Sequence, residues 1–116
     1  MALTDYERYI RTGELLSLQK PEEELSCHDE LQFQVVHQAA ELLMKLIDFE
    51  VRHAVALVDE GAVHRAATTL GRATRAQRLL LGQLDLLDTM APKDYMTIRE
   101  GLGRGSGQES GAEHDR

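Results

Sequence analysis

Apolar residues recur at three- and four-residue steps through two long stretches of the chain. In the first, over residues 30–60, Phe33, Val36, Ala40, Leu43, Ile47, Val51, Ala54 and Leu57 mark one stripe. That is the period of an amphipathic helix. Val35, Leu42, Leu46 and Val58 widen the stripe, so contact on more than one side is expected. No Gly or Pro interrupts it until Gly61, a residue favoured just past a helix end. Residues 62–90 predict a second helix, with Ala66, Leu70, Ala73, Leu80, Leu84 and Leu87 along one stripe. So short a connection predicts an antiparallel hairpin.

The flanks are less regular. Residues 3–19 carry Tyr6, Tyr9 and Ile10, then Leu15, Leu16 and Leu18, and read as one or two short helical turns broken near Gly13. Residues 20–26 hold Pro21 followed by three glutamates, which is loop chemistry, and Ser26 or Asp29 is placed to cap the helix that follows. Pro92 opens a last short helix over residues 92–101, where its missing N–H is harmless. Beyond Leu102 only Gly, Ser, Gln, Ala, His and charged residues remain. The expected organisation is a helical domain over residues 1–102 and a flexible tail over 103–116. No useful strand alternation occurs, and the fold class is all-α. Two such helices would each run about 45 Å, leaving much apolar surface wet in a lone hairpin. Association into an oligomeric helical bundle, at least a dimer with a four-helix core, is therefore expected.

Composition narrows the picture. A chain of 116 residues, 42% hydrophobic and 28% charged, suits one small globular domain and not a disordered one. It has neither a long apolar run nor a basic segment leading into one, so no membrane partner or secretory leader is expected. The single cysteine, Cys27, excludes a disulfide within one chain and fits a reducing cytoplasm. Thirteen basic against twenty acidic residues give a net charge of −7. Arg65, Arg72, Arg75 and Arg78 form the main basic density and read as a solvated face, so no nucleic-acid partner is expected.

Candidate chemistry lies in two spaced groups. The histidines, His28, His37, His53, His64 and His114, include no HxxxH or HExxH pair, and no CxxC occurs, so no metal site is indicated. Phe33, His37 and Glu41 share a stripe at i, i+4 steps. His37 reads either as a partly buried residue bonded to Glu41 or a neighbouring helix, or as a functional imidazole. Tyr95 and Arg99 form a second i, i+4 pair. A guanidinium beside a phenol makes a carboxylate clamp; the alternative is an arginine bridging Asp94 or Glu100. Tyr6 and Tyr9 share a face of the N-terminal segment, and packing onto the hairpin is their simplest use.

Three blocks, LTDYERYIRTGELLSLQKP, CHDELQFQVVHQAAELLMK and LDLLDTMAPKDYMTIREGLGRGSG, resemble in order and spacing the N-terminal half of tryptophan 2,3-dioxygenases. That family is helical, haem-dependent and homotetrameric. The resemblance implies that His37, the catalytic candidate, hydrogen-bonds the substrate indole N–H without ligating iron, and that Phe33 lines the indole pocket. It implies that Tyr95 and Arg99 hold the substrate carboxylate, and that Tyr6 and Tyr9 reach into a neighbouring subunit's pocket. The implied reaction opens the indole ring of L-tryptophan, or of a related indole amino acid, to N-formylkynurenine.

The family's HHDE stands here as Cys27-His28-Asp29-Glu30, its ELW[MF]K as Glu41-Leu42-Leu43-Met44-Lys45, and its SGFQS as Ser106-Gly107-Gln108-Glu109-Ser110. No position matches the family's proximal histidine. Other subunits or a second chain are expected to complete the haem site, with His53 or His64 of a symmetry mate as the improvised alternative. Three classes of function follow: a haem-dependent dioxygenase-like enzyme, a catalytically silent aromatic amino-acid-binding or regulatory module lacking haem, and a purely structural helical dimer.

Overall fold

The computed structural model describes residues 2–103. Five α-helices follow one another: α1 (Asp5–Ile10), α2 (Thr12–Leu15), α3 (Glu30–Asp59), α4 (Val63–Leu87) and α5 (Pro92–Leu102), with a single 3₁₀ turn at Glu22–Glu24. No strand occurs among the described residues. The tail expected over 103–116 lies outside them except for Gly103.

The hairpin forms where the periodicity placed it. Gly61 adopts φ +82°, a left-handed conformation that side chains other than glycine's resist. The Gly61 N–H donates to the Val58 carbonyl at 2.9 Å and the Ala62 N–H to the Leu57 carbonyl at 2.8 Å. This paired closure satisfies the last carbonyls of α3 and turns the chain back. Ala54, Leu57 and Ala66 are buried together beside this turn, while Phe33 packs on Met90 at the other end. Those two contacts make α3 and α4 antiparallel.

The buried seam follows a stricter rule than the expected stripes. Beyond Glu30 and the other covered residues of its first turns, the buried and half-buried positions running the length of α3 are Phe33, Val36, Ala40, Leu43, Ile47, Glu50, Ala54 and Leu57; on α4 they are Ala66, Thr69, Ala73, Ala76, Leu80, Gln83 and Leu87. Both sets step alternately by three and four, the seam spacing of a coiled coil. Val51, Leu70 and Leu84, expected inside, are exposed. Small side chains at Ala66, Thr69, Ala73 and Ala76 suit a close approach of the helices at that end, while Leu70 and Leu84 fall on the flanks beside the seam.

Glu50 takes the seam position that Val51 was expected to hold. Its carboxylate is almost wholly buried and accepts a 2.8 Å bond from Arg72 of α4, whose side chain stays largely in water. Removing one partner of a buried pair strands the other's charge. Arg72→Ala is therefore expected to destabilise the hairpin by about 1–2 kcal/mol, the exposure of Arg72 moderating the full buried-pair penalty. Loss of the exposed Arg52–Asp48 pair should change the urea midpoint little.

The flanking elements depart from expectation in three places. The break between α1 and α2 falls at Arg11 (φ 58°, ψ 50°), and Gly13 lies inside α2. Thr4 and Glu7 fix the start of α1 by a reciprocal cap, each side chain accepting the other's backbone N–H at 3.0 Å. Neither Ser26 nor Asp29 caps α3 with its side chain; instead Glu30 reaches back to accept from Ser26. Finally, α4 stops at Leu87 rather than near Met90, because Asp88, Thr89 and Met90 close tight turns onto Asp85, Leu86 and Leu87. Gln32 of α3 holds that turn by donating to Thr89 Oγ1 at 3.0 Å and to the Leu86 carbonyl.

This early stop turns the chain so that α5 folds back over the start of α3. Pro92 begins α5, as its fixed φ favours. Ile98, 2% exposed, packs with Phe33 and Met90, flanked by Cys27 and Leu87. The outer faces of the hairpin remain apolar: Leu42, Leu46, Phe49, Val55 and Val58 on α3, and Leu79, Leu81, Leu84 and Leu86 on α4 are all exposed. The radius of gyration is 17.8 Å, against about 13 Å for a compact chain of this length. The contact on a second side expected of Val35, Leu42, Leu46 and Val58 is not made within the chain, where all four are exposed. No helix among the described residues is long and apolar enough to cross a membrane.

Candidate functional site

The open end of the hairpin gathers three of the candidate residues around one ring. Phe33, in the second turn of α3, is buried between two partners. His37, one turn along, stacks on it with centroids 4.1 Å apart and planes 29° from parallel. Tyr95 of α5 meets it at 6.2 Å and 57°, a tilted arrangement that aromatic quadrupoles favour. The first contact follows from i, i+4 spacing on one helix. The second depends on the turn at residues 88–91 and on Ile98, which seats α5.

The imidazole is oriented by its own helix. His37 Nδ1 lies 2.7 Å from the Phe33 carbonyl oxygen. A carbonyl can only accept, so Nδ1 carries the proton and donates. In the neutral ring Nε2 is then left with its lone pair, an acceptor for an external N–H. His37 is half-buried, as its apolar neighbours suggested.

Arg99 lies one turn beyond Tyr95 on α5 and is exposed. The alternative of a bridge to Asp94 or Glu100 does not hold, since the described ion pairs do not include Arg99. Its guanidinium therefore keeps its hydrogen-bonding fork, beside a phenol, at the edge of the aromatic cluster. Tyr6 and Tyr9 do not join this cluster. They are 68% and 86% exposed on α1, so simple packing onto the hairpin is not their use.

Glu30 is a site-proximal residue that the spacing of apolar positions did not single out. It is buried, and its Oε1 accepts from the Ser26 N–H at 2.7 Å, the Ser26 hydroxyl at 3.2 Å and Lys20 Nζ at 3.3 Å. Burial pushes its carboxyl up, but the Ser26 N–H, the Lys20 ammonium and the Ser26 hydroxyl together outweigh burial and hold it below its ordinary value of 4.5. A carboxyl held low in the fold contributes stability that is complete above that ordinary value and is lost as pH falls through the lowered one. Glu30→Gln should therefore flatten the acid limb of a plot of urea midpoint against pH below 4.5. An unchanged limb would show that the carboxylate contributes nothing there.

Among the described residues no three His, Cys, Asp or Glu side chains gather as a metal would require. Haem needs only one axial donor, so the histidines must be weighed singly. His28, His53 and His64 are all exposed. His53 lies sixteen residues beyond His37 on α3, about 24 Å along the axis, and His64 opens α4 at the far end. His37 faces the aromatic cluster with its orientation already fixed. Exposed, scattered histidines such as His28, His53 and His64 do not fit the axial side of a haem.

A family model for tryptophan 2,3-dioxygenase matches residues 1–112. The chain belongs to the tryptophan 2,3-dioxygenase family. It is 44% identical over 105 residues to the tryptophan 2,3-dioxygenase of Caulobacter vibrioides, covering 90% of this chain and 39% of that protein. Against the tryptophan 2,3-dioxygenase of Xanthomonas oryzae pv. oryzae it is 37% identical over 105 residues, 90% of this chain and 35% of the other. The same figures hold for the tryptophan 2,3-dioxygenase of Xanthomonas campestris pv. campestris. The chain thus spans less than two-fifths of the length of these curated relatives. In tryptophan 2,3-dioxygenase terms, the family model runs through all three blocks that carried the resemblance, and two of those blocks supply α3 and α5. The Ser106–Ser110 block lies outside the described residues.

Proposed function

We propose that the chain provides the substrate-holding part of a haem-dependent tryptophan 2,3-dioxygenase, opening the indole ring of L-tryptophan or a related indole amino acid to N-formylkynurenine. One observation carries this reading: Phe33 is flanked by His37 and Tyr95, and Arg99, which takes part in none of the ion pairs among the described residues, lies one turn beyond Tyr95 on α5. The indole would lie against Phe33, its N–H donating to His37 Nε2, the nitrogen left open by the bond to the Phe33 carbonyl. Arg99 would grip the carboxylate with two parallel bonds, and the Tyr95 hydroxyl would add a third. Phe33, Met90 and Ile98 would exclude water from the indole's inner edge. Haem, when bound, supplies the oxygen chemistry; this chain's share is position and a dry wall.

In this reading the residue that would hold the haem would come from other subunits or a second chain. The exposed leucines of α3 and α4 support such association, and the exposed Tyr6 and Tyr9 support a role in a neighbouring subunit's pocket. A cytoplasmic setting suits the single cysteine. The exposure of every described histidine except His37 favours a second reading, a silent aromatic amino-acid-binding or regulatory module without haem.

Haemin titration with absorption spectroscopy separates the two. The enzyme reading expects a stoichiometric Soret band once the completing subunit or chain is present, and N-formylkynurenine from L-tryptophan after reduction. Tryptophan binding with no haem uptake in any such mixture would leave the silent module.

A further inference from the structure

The segment before α3 is strapped to that helix along one polar stripe. Gln38 Nε2 donates to the Leu18 carbonyl at 3.2 Å, and Gln38 Oε1 accepts from Gln19 Nε2 at 2.9 Å. Gln34 Oε1 accepts the Lys20 N–H at 2.8 Å. Glu30 completes the series with Ser26 and Lys20. Residues 30, 34 and 38 share one face of α3 at i, i+4 steps. Of the three, only Glu30 is charged, and only Glu30 is buried.

Its place ties it to the site. Ser26, held by the Glu30 side chain, is followed by Cys27, whose carbonyl accepts the Glu30 N–H at 3.2 Å. Cys27 packs against the cluster of Phe33, Met90 and Ile98. Glu30 thus bonds both Cys27 itself and the residue before it, next to the cluster that contains Phe33, and Phe33 in turn carries His37 on its face. An apolar residue would fill this position at no electrostatic penalty, whereas a buried carboxylate demands its partners in one arrangement. Glu22, Glu23 and Glu24 project from the same strap into water, so Lys20 is the cation that offsets the buried charge.

We propose that Glu30 is a positioning residue: by pinning Ser26 and Lys20 it holds Cys27 against the cluster of Phe33, Met90 and Ile98 and so fixes the ring on which His37 stacks. The positioning role stands on geometry alone; its consequence for ligand affinity rests on the tryptophan reading.

The test is NMR of the His37 ring protons in the full chain, which the Phe33 ring current displaces at a 4.1 Å stacking distance. Phe33→Leu sets the scale for complete loss of that displacement. Glu30→Ala is expected to shift the signals most of the way to this limit. Glu30→Gln, which keeps an acceptor for Ser26, and Lys20→Met should shift them part of the way in the same direction. Glu50→Gln, a change at the other buried carboxylate, should leave them in place. L-tryptophan affinity, read by calorimetry, should weaken about tenfold or more in Glu30→Ala, the range seen when supporting partners of a site are removed.

His37 signals that stay at wild-type positions in Glu30→Ala and Glu30→Gln would overturn the proposal, as would an equal movement in Glu50→Gln. If Glu30→Ala does not fold, Glu30→Gln and Lys20→Met decide the matter. Ring signals that move as expected in a chain that takes up no tryptophan would uphold the positioning role and overturn the ligand reading instead.

Discussion

Arg99→Ala is expected to weaken L-tryptophan binding about 100-fold, the loss associated with truncating one partner of a charge-assisted bidentate bond. Its thermal unfolding should match that of the unmodified chain. Both halves follow from the same geometry. The guanidinium is exposed, and the described ion pairs do not include it, so no ion pair among the described residues is lost with it. A carboxylate arriving beside Tyr95 loses its fork. Arg99→Lys keeps the charge but not the planar pair of donors, and should recover only part of the affinity. Calorimetry with L-tryptophan, beside tryptamine as a ligand without a carboxylate, checks this. Tryptamine affinity should be insensitive to the change, and an equal loss for both ligands would dispose of the clamp.

Ile98→Ala should have the largest effect on stability for a residue that touches no ligand. Ile98 is 2% exposed and bridges α5 to Phe33 and Met90. Truncating a fully buried isoleucine costs about 2–5 kcal/mol, through lost transfer energy and the cavity left behind. Here the loss falls on one contact, because α5 is seated by little else. The coiled hairpin of α3 and α4 should keep its helicity while α5 loosens, carrying Tyr95 and Arg99 with it. Circular dichroism would then show a loss confined to about one short helix, and hydrogen exchange would place it in residues 92–102. Uniform loss of protection across α3 and α4 would contradict this division of the fold.

The long helices and their hairpin could be read from periodicity because apolar spacing and a left-handed glycine act locally. The seam could not be read so directly. Glu50 was passed over because a charge at a buried position looks like a break in the stripe; only its pairing with Arg72, 22 residues on, makes it tolerable. Leu70 and Leu84 fit the apolar stripe by spacing, yet the seam passes through the neighbouring polar positions Thr69 and Gln83 instead. The strict three-four alternation was present in the sequence and would have found Glu50 and Thr69 had polar residues been admitted to the pattern.

The site shows the same division. Phe33–His37 and Tyr95–Arg99 are i, i+4 pairs, visible from spacing within one helix. The likeness to tryptophan 2,3-dioxygenases suggested that the two pairs belong together. What joins them is the turn at Asp88–Met90, where three successive i to i−3 bonds end α4 early. Such a turn is settled by Gln32 and by the burial of Met90, both distant in sequence. Glu30 is hidden for a related reason: Ser and Asp ordinarily cap a helix by accepting, whereas here Ser26 donates and the Glu30 side chain accepts.

The central claim is that one ligand spans from His37, across Phe33, to Arg99. Intermolecular NOEs between L-tryptophan and the full chain test it most directly. The indole protons should show contacts with the rings of Phe33 and His37, and the Cα proton with Tyr95 and the Arg99 side chain, in a single bound pose. Contacts instead with the exposed leucines of α3 and α4, or indole contacts without any to α5, would contradict it.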